Sequence, residues 1–319
     1  MANFERRGSS WRVRLMVDGQ RESATFPTKR EAAAWAVQRE AELTGAKLPD
    51  RTLWDALDRY EREIVPLHKG AKWEKVRIKA FKSEPIARRA LDRVDREAIA
   101  DWREARVLEV SPGTVRREMT LLQSVFAATV DWGWLRGNPI AGVRKPTAPA
   151  SRKRRITDDE ISRLEIATGL ADGLEAGTAM QRTGLTFLFA LETAMRAGEI
   201  TGMRWEDVAE KSVTLPRTKN GDVRRVPLSP RAREIITALP RTERPVFDLE
   251  PGTRDALFRR ARDAAGVENL RFHDSRAEAI WRLSKKLELL ELARVIGHRD
   301  PRSLMIYYQV DADELADKL

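Results

Sequence analysis

Residues 144–155, RKPTAPASRKRR, carry six basic side chains, no acidic one and two prolines. Pro146 and Pro149 fix φ and lack a backbone donor, so the run opposes helix. Its like charges repel and keep it extended. Such a segment cannot enter an apolar core. The chain must therefore fold as separate bodies on either side of it. With 319 residues, 42 % of them apolar, there is material for two or three domains with cores of their own.

Three helix-start signatures divide the chain further. Thr28 with Glu31, Thr52 with Asp55 and Thr157 with Glu160 each offer a side-chain oxygen to first-turn N–H groups, with a carboxylate three residues on that can bond back. Before the first, WRVRLMV (11–17) and RESATF (21–26) alternate in polarity around Asp18-Gly19-Gln20. This predicts a hairpin with Gly19 at the turn. The helix that follows is expected to reach about Leu43 and to end at Gly45. Residues 1–45 are thus expected to form a small sheet with one helix. Residues 46–51 read as a linker. Leu53, Leu57, Tyr60 and Ile64 then recur at helical spacing. Further helices fit 72–83, 95–107 and 113–131, giving an all-helical domain over 50–142 that Trp132, Trp134 and Pro139 close. After a basic linker at 143–156, a mixed α+β domain is expected over 157–319. Its helices fit 158–167, 178–194, 230–239, 253–265, 275–286 and 288–296, with short helical segments at 302–308 and near 311–318. Strands fit 212–215 and 223–228, joined by a turn from Thr218 to Asp222 in which Asn220-Gly221 supplies positive φ. The fold class is mainly α with small β elements.

Lys and Arg number 59 against 49 Asp and Glu, a net charge of +10. That balance favours a polyanionic partner, nucleic acid first; a ribosome-associated or merely basic protein is the blander reading. No apolar run is long enough to span a bilayer, and MANFERRGSSWRVR lacks an apolar signal core. A cytoplasmic protein with no membrane partner is expected. Cysteine is absent, which excludes disulfides, thiolate metal sites and a Cys nucleophile. Three scattered His make a poor ligand set. No metal and no cofactor are expected.

One ordered set of polar residues stands out in the C-terminal half: Arg196, Lys219, His273, Arg276, His298 and Tyr307. Two guanidinium forks can neutralise phosphoryl oxygens. Lys and His can move protons, and a phenol can act as a covalent nucleophile. A cationic cluster is expected to lower a tyrosine pKa by favouring phenolate. Each residue also has an ordinary reading: Arg196 as a helix-end cation, Lys219 as a solvated hairpin residue, His273 as a cap, His298 as a helix-end residue.

FALETAMRAGEI (189–200), LPRTKNGDVRRVPLS (215–229), RFHDSRAEAI (271–280) and IGHRDPRSLMIYY (296–308) resemble, in order and approximate spacing, the four catalytic boxes of the tyrosine recombinases, or phage integrases. The stretch from about 113 to 230 is similar to the shufflon-type DNA invertases of that family. The resemblance implies a site-specific DNA recombinase working through a 3′-phosphotyrosine. It implies Arg196, Arg276 and His298 on the phosphate, His273 receiving the tyrosine proton, Lys219 protonating the leaving 5′ oxygen, Glu199 orienting an Arg or His, and Tyr307 as nucleophile. Tyr307 lies nine residues after His298, the family's usual spacing, which leaves Tyr308 to packing. Ser275 and Ala277 depart from the Leu and His common around the second Arg.

The resemblance also implies an arm-type DNA-binding domain at the N-terminus, with Arg12 and Arg14 on one strand face, and a core-binding helical domain. DNA-facing candidates in the latter are Lys72, Lys75, Arg77, Lys79, Arg116 and Arg117. The linker residues Arg152, Lys153, Arg154 and Arg155 could track a backbone. Expected partners are double-stranded DNA with specific recombination sites, further copies of the chain as a tetramer on two sites, and accessory bending or directionality factors. Two alternatives stay open: a catalytically silent DNA-binding accessory factor, and a type IB topoisomerase-like nicking-closing enzyme.

Overall fold

The computed structural model describes residues 2–17, 20–43, 48–149, 152, 154–216, 223–298 and 300–308. The expected hairpin turns around Gly19 and Lys219, the helix stop at Gly45 and the helical segment near 311–318 lie outside them. The chain divides into two compact units between residues 151 and 152, inside the proline-bearing basic run. The described residues are mainly helical, with two small antiparallel sheets. No helix among the described residues is long and apolar enough to cross a membrane.

The first unit opens with strands β1 (Ala2–Arg7), β2 (Ser10–Val17) and β3 (Gln20–Phe26), antiparallel in that order. The two alternating runs are β2 and β3, and β1 adds an edge beside β2. Period-two alternation buries Val13, Leu15 and Val17 on one face of β2 and leaves Arg12 and Arg14 on the other. Helix α1 (Lys29–Leu43) covers the apolar face through Ala32 and Ala36. Its Thr28–Glu31 capping bonds are both 3.2 Å.

Four longer helices follow: α2 (Leu53–Glu63), α3 (Ala71–Ser83), α4 (Arg96–Glu109) and α5 (Pro112–Asp131). The Thr52–Asp55 box closes the start of α2. Leu57, Tyr60, Ile78, Phe81, Ile99, Met119, Leu122 and Phe126 share a core separate from that of the sheet. Inside it, the buried Glu118 carboxylate takes bonds from Arg77 at 3.1 Å and from Arg106 at 3.0 Å. A carboxylate that is only 2 % exposed requires such partners.

The second unit contains α6 (Asp158–Thr168), α7 (Ala179–Thr193), α8 (Ala197–Thr201), strands β4 (Val208–Ala209), β5 (Ser212–Leu215) and β6 (Arg224–Pro227), then α9 (Pro230–Ala238), α10 (Pro251–Ala264), α11 (Asp274–Ser284) and α12 (Leu289–Ile296). A 3-10 helix, Pro301–Tyr307, stands where residues 302–308 are expected to be helical. Sequence reading does not anticipate α8 and β4. Both are a few residues long, too short for a periodic signal. Helix α7 is almost wholly buried, and Phe187 meets Phe258 and Phe272 at 5.2 and 6.0 Å. A smaller core joins Ala194, Ile280, Leu292, Ile296 and Leu304, with Tyr307 and Tyr308 packed against it.

Candidate active site

The site is built from helix ends. Helix α7 stops at Thr193, and Ala194 turns the chain in a left-handed conformation at φ 51°. For a residue with a Cβ that costs about 1 kcal/mol. The turn buries Met195 and puts Arg196 at the N-cap position of α8. The Arg196 backbone N–H donates to Glu199 Oε2 at 2.8 Å, and its Nη1 donates to Oε1 at 2.9 Å.

Glu199 serves a second guanidinium. Arg224 donates Nη1 to Oε1 at 3.1 Å and Nη2 to Oε2 at 2.8 Å. Burial pushes the Glu199 carboxyl up. The Arg196 N–H and the two guanidiniums outweigh it and hold the group below its ordinary value. Sequence reading overlooks Arg224. Strand alternation carries the signal: Arg224 and Val226 are buried on β6 while Arg225 and Pro227 are exposed. An Arg on the apolar face of a strand needs a buried partner.

Arg276 lies in the first turn of α11 and is 4 % exposed. Its Nη1 donates to the Ala194 carbonyl, and its Nη2 donates to the Ile296 carbonyl at 3.0 Å. One guanidinium thus ties the end of α7 to the end of α12. Burial, reinforced by Arg196 and Arg224, pulls its pKa down to about 10. It still carries its charge at neutral pH.

His273 sits at the N-cap position of α11 without a side-chain cap bond. The residue is exposed, yet partial desolvation lowers its pKa, and Arg276 and Arg196 lower it further against Asp274. His298 follows Gly297, which ends α12 at φ 68°, and its N–H donates to the Ala293 carbonyl at 3.0 Å. Burial lowers its pKa as well, helped by Arg276, Arg196 and Arg224. Both imidazoles are neutral near pH 7. A Cβ at Gly297 would stand 2.8 Å from Arg224 Nη1, so this turn needs glycine for space as well as for φ.

Tyr307 ends the 3-10 helix, half-buried, with its carbonyl taking a bond from Ser284 Oγ at 3.2 Å. Its hydroxyl has no hydrogen-bond partner among the described residues. Burial raises its pKa, and Arg276 opposes the rise. The expected lowering is therefore not seen. The ring packs on the apolar core and one cation works against that burial. Tyr308 differs on both counts. Its hydroxyl donates to the Leu287 carbonyl at 2.7 Å. Burial raises its pKa, and Glu288 and Glu291 raise it further.

Arg196, Glu199, His273, Arg276, His298 and Tyr307 are thus brought together, and Arg224 joins them. Lys219 lies outside the described residues. Ser275 is buried, its Oγ bonded to the Phe272 carbonyl at 2.6 Å, so this departure from the family pattern is absorbed in packing.

The other candidates are placed as follows. Arg12 donates to Ser23 Oγ at 3.3 Å and Arg14 pairs with Glu5 at 3.1 Å. Lys72, Lys75, Lys79 and Arg117 are exposed. Arg77 is held by Glu118, and Arg116 donates to the Pro146 carbonyl at 2.6 Å. Three linker arginines spend their charge on carboxylates of the second unit. Arg152 pairs with Asp274 at 2.9 Å, Arg154 with Glu160 at 2.5 Å and Arg155 with Glu278 at 2.7 Å. Arg155 also stacks on Trp281. Lys153 lies outside the described residues. No group of His, Asp and Glu that could hold a metal ion occurs among the described residues.

Residues 154–314 match the phage integrase family. Over 98 % of its length the chain is 38 % identical to an integrase/recombinase of Haemophilus influenzae, covering 89 % of that protein. It is 37 % identical, over 87 % of its length and 74 % of the relative, to a shufflon-specific DNA recombinase of Escherichia coli. Among solved structures, a lambda integrase dimer bound to a COC′ core site superposes with a TM-score of 0.66 at 21 % identity, over 96 % of this chain and 94 % of that one. The Tn1549 transposon integrase in complex with a circular intermediate DNA gives 0.65 at 14 % identity, over 84 % of this chain and 98 % of that one. These two show a shared fold.

Proposed function

Because the chain belongs to the phage integrase family of tyrosine recombinases, we propose that it cuts and rejoins double-stranded DNA at specific sites through a 3′-phosphotyrosine, with Tyr307 as nucleophile. The observation that carries this reading is the contrast between neighbouring phenols. Tyr307 is within the electrostatic reach of Arg276 and its hydroxyl is unspent, whereas Tyr308 is within that of two carboxylates and its hydroxyl is bonded to backbone.

Tyr307 Oη attacks the scissile phosphorus and displaces the 5′ oxygen. Its raised pKa keeps it neutral at rest, so the proton must leave as the bond forms. Neutral His273 accepts it. Arg196 and Arg276 meet the charge on the non-bridging oxygens, with His298 donating beside them. Lys219 delivers the proton to the leaving oxygen. Attack by another 5′ hydroxyl on the phosphotyrosine reverses the chemistry and exchanges strands. The ester conserves the energy of the broken bond.

We assign 1–45 and 50–142 as DNA-gripping domains, 143–156 as their link to the catalytic domain 157–319, and a tetramer on two sites as the working assembly. A lambda integrase tetramer bound to a Holliday junction shares the fold and supports that assembly. The exposed Lys72, Lys75, Lys79 and Arg117, with Arg12, Arg14 and Arg116, are proposed backbone contacts. The test is a plasmid carrying two copies of a site taken from DNA flanking the gene. Wild type should yield inverted or deleted product and Tyr307→Phe none. Relaxed plasmid without recombinants would favour the topoisomerase-like alternative.

A further inference from the structure

An open cleft of about 1070 Å³ in the first unit is lined by Arg51, Arg88, Arg89, Arg93, Arg136 and Trp134. Its arginines come from three separate segments: the chain before α2, the turns between α3 and α4, and the turn after α5. All five are exposed. None has a carboxylate partner or a side-chain hydrogen bond among the described residues; Arg51 only stacks on Trp134 at 5.4 Å. Several arginines elsewhere in the same unit are neutralised internally. Arg59, Arg62, Arg77, Arg103 and Arg106 each pair with Glu or Asp. The cleft adds two carboxylates, Asp50 and Asp92, which leaves cations in excess.

Five like charges gathered without internal partners repel one another, a cost that an external anion would relieve. Guanidiniums spread over three segments suit an extended phosphate chain, in which duplex DNA carries one charge per roughly 1.7 Å of axis. The Trp134 face is already taken by Arg51 and by Arg59 at 5.1 Å, so it does not offer a base-stacking platform. The cleft is also distinct from the basic group around Arg116 and Arg117. That group lies at the start of α5 and the cleft at its end, roughly 20 Å away at the rise of a helix.

We propose that this arginine cleft is a second duplex-backbone contact, separate from the α3 and α5 surface. The inference rests on the reading of the chain as a DNA-binding recombinase. Phosphate contacts carry no sequence information, so a random-sequence duplex of about 40 base pairs is a sufficient probe.

The experiment compares the full chain with Arg88→Gln/Arg89→Gln/Arg136→Gln, measuring affinity for that duplex across salt concentrations. The slope of log affinity against log salt should shrink by about 0.9 for each phosphate that is no longer neutralised, so by roughly 2 to 3 in the triple variant. Asp50→Asn/Asp92→Asn should bind more tightly than wild type, which keeps the test decisive where the arginine variant fails to fold. Wild type that binds, alongside folded variants of unchanged affinity and slope, would overturn the cleft and leave the recombinase reading standing. Wild type that does not bind duplex would overturn both.

Discussion

Arg224 grips both oxygens of Glu199, at 3.1 and 2.8 Å, and the same carboxylate holds Arg196. Strand β6 is thereby tied to the start of α8, where Arg196 stands. With Arg224 7 % and Glu199 10 % exposed, this is a buried ion pair whose two halves depend on each other.

Removing one half should be costly. Arg224→Met leaves Glu199 with less compensation, and breaking such a pair costs about 3–5 kcal/mol. In a unit of this size that lowers the unfolding midpoint by roughly 10 °C. Calorimetry of Arg224→Met, Glu199→Gln and the double variant should show strong non-additivity. Additive losses would mean the two residues act independently.

Gly297 gives a second reading of the same contact. Gly297→Ala must accept both a positive φ and a Cβ 2.8 Å from Arg224 Nη1. It should destabilise by more than the ~1 kcal/mol of the backbone conformation alone. In an Arg224→Met background the excess should largely vanish. Persistence of the full penalty there would place the strain elsewhere.

Arg276→Lys keeps the charge and loses the fork. An ammonium cannot reproduce two guanidinium bonds to the Ala194 and Ile296 carbonyls, so one carbonyl is left unpaired at about 1–3 kcal/mol. Denaturant titration should register that loss, and cleavage should fall with it under the role proposed for Arg276 at the phosphate. Cleavage at the wild-type rate would remove Arg276 from the chemistry.

Two imidazoles, His273 exposed and His298 half-buried, set the acid limit. His273 and His298 have folded pKa values below the ordinary 6.5. Below that value the unfolded chain binds more protons, so stability contributed above pH 6.5 is lost as pH falls through the folded values. Urea midpoints should drop between pH 7 and pH 5 more in wild type than in His273→Gln/His298→Gln. Equal drops would assign acid sensitivity to the carboxylates. The cleavage rate should fall over the same interval, as His273, the proposed proton acceptor, becomes protonated.

Much of this was legible because it is local. The capping pairs at Thr28, Thr52 and Thr157 form with the expected partners. Gly297 ends its helix, and the three-residue step from His273 to Arg276 puts both at one helix start. What sequence reading missed depends on register or tertiary contact. Alternation with Val226 turns Arg224 rather than Arg225 inward, but its partner Glu199 is brought to it only by the tertiary fold, from 25 residues away. The basic run at 152–155 reads as open charge in sequence. Asp274, Glu160 and Glu278, which pair with three of its arginines, arrive from six to more than a hundred residues away. Burial of Tyr307 likewise comes from α11 and α12, and it reverses the pKa shift that local charge alone suggests.

Tyr307, with its unspent hydroxyl beside Arg276, is the residue proposed to join DNA. The most direct measurement is covalent trapping on a nicked suicide duplex carrying the flanking site, with wild type, Tyr307→Phe and Tyr308→Phe resolved on a denaturing gel. Wild type and Tyr308→Phe should form the protein–DNA adduct and Tyr307→Phe should form none. An adduct that survives in Tyr307→Phe, or one that Tyr308→Phe alone abolishes, would contradict the assignment of Tyr307 as nucleophile.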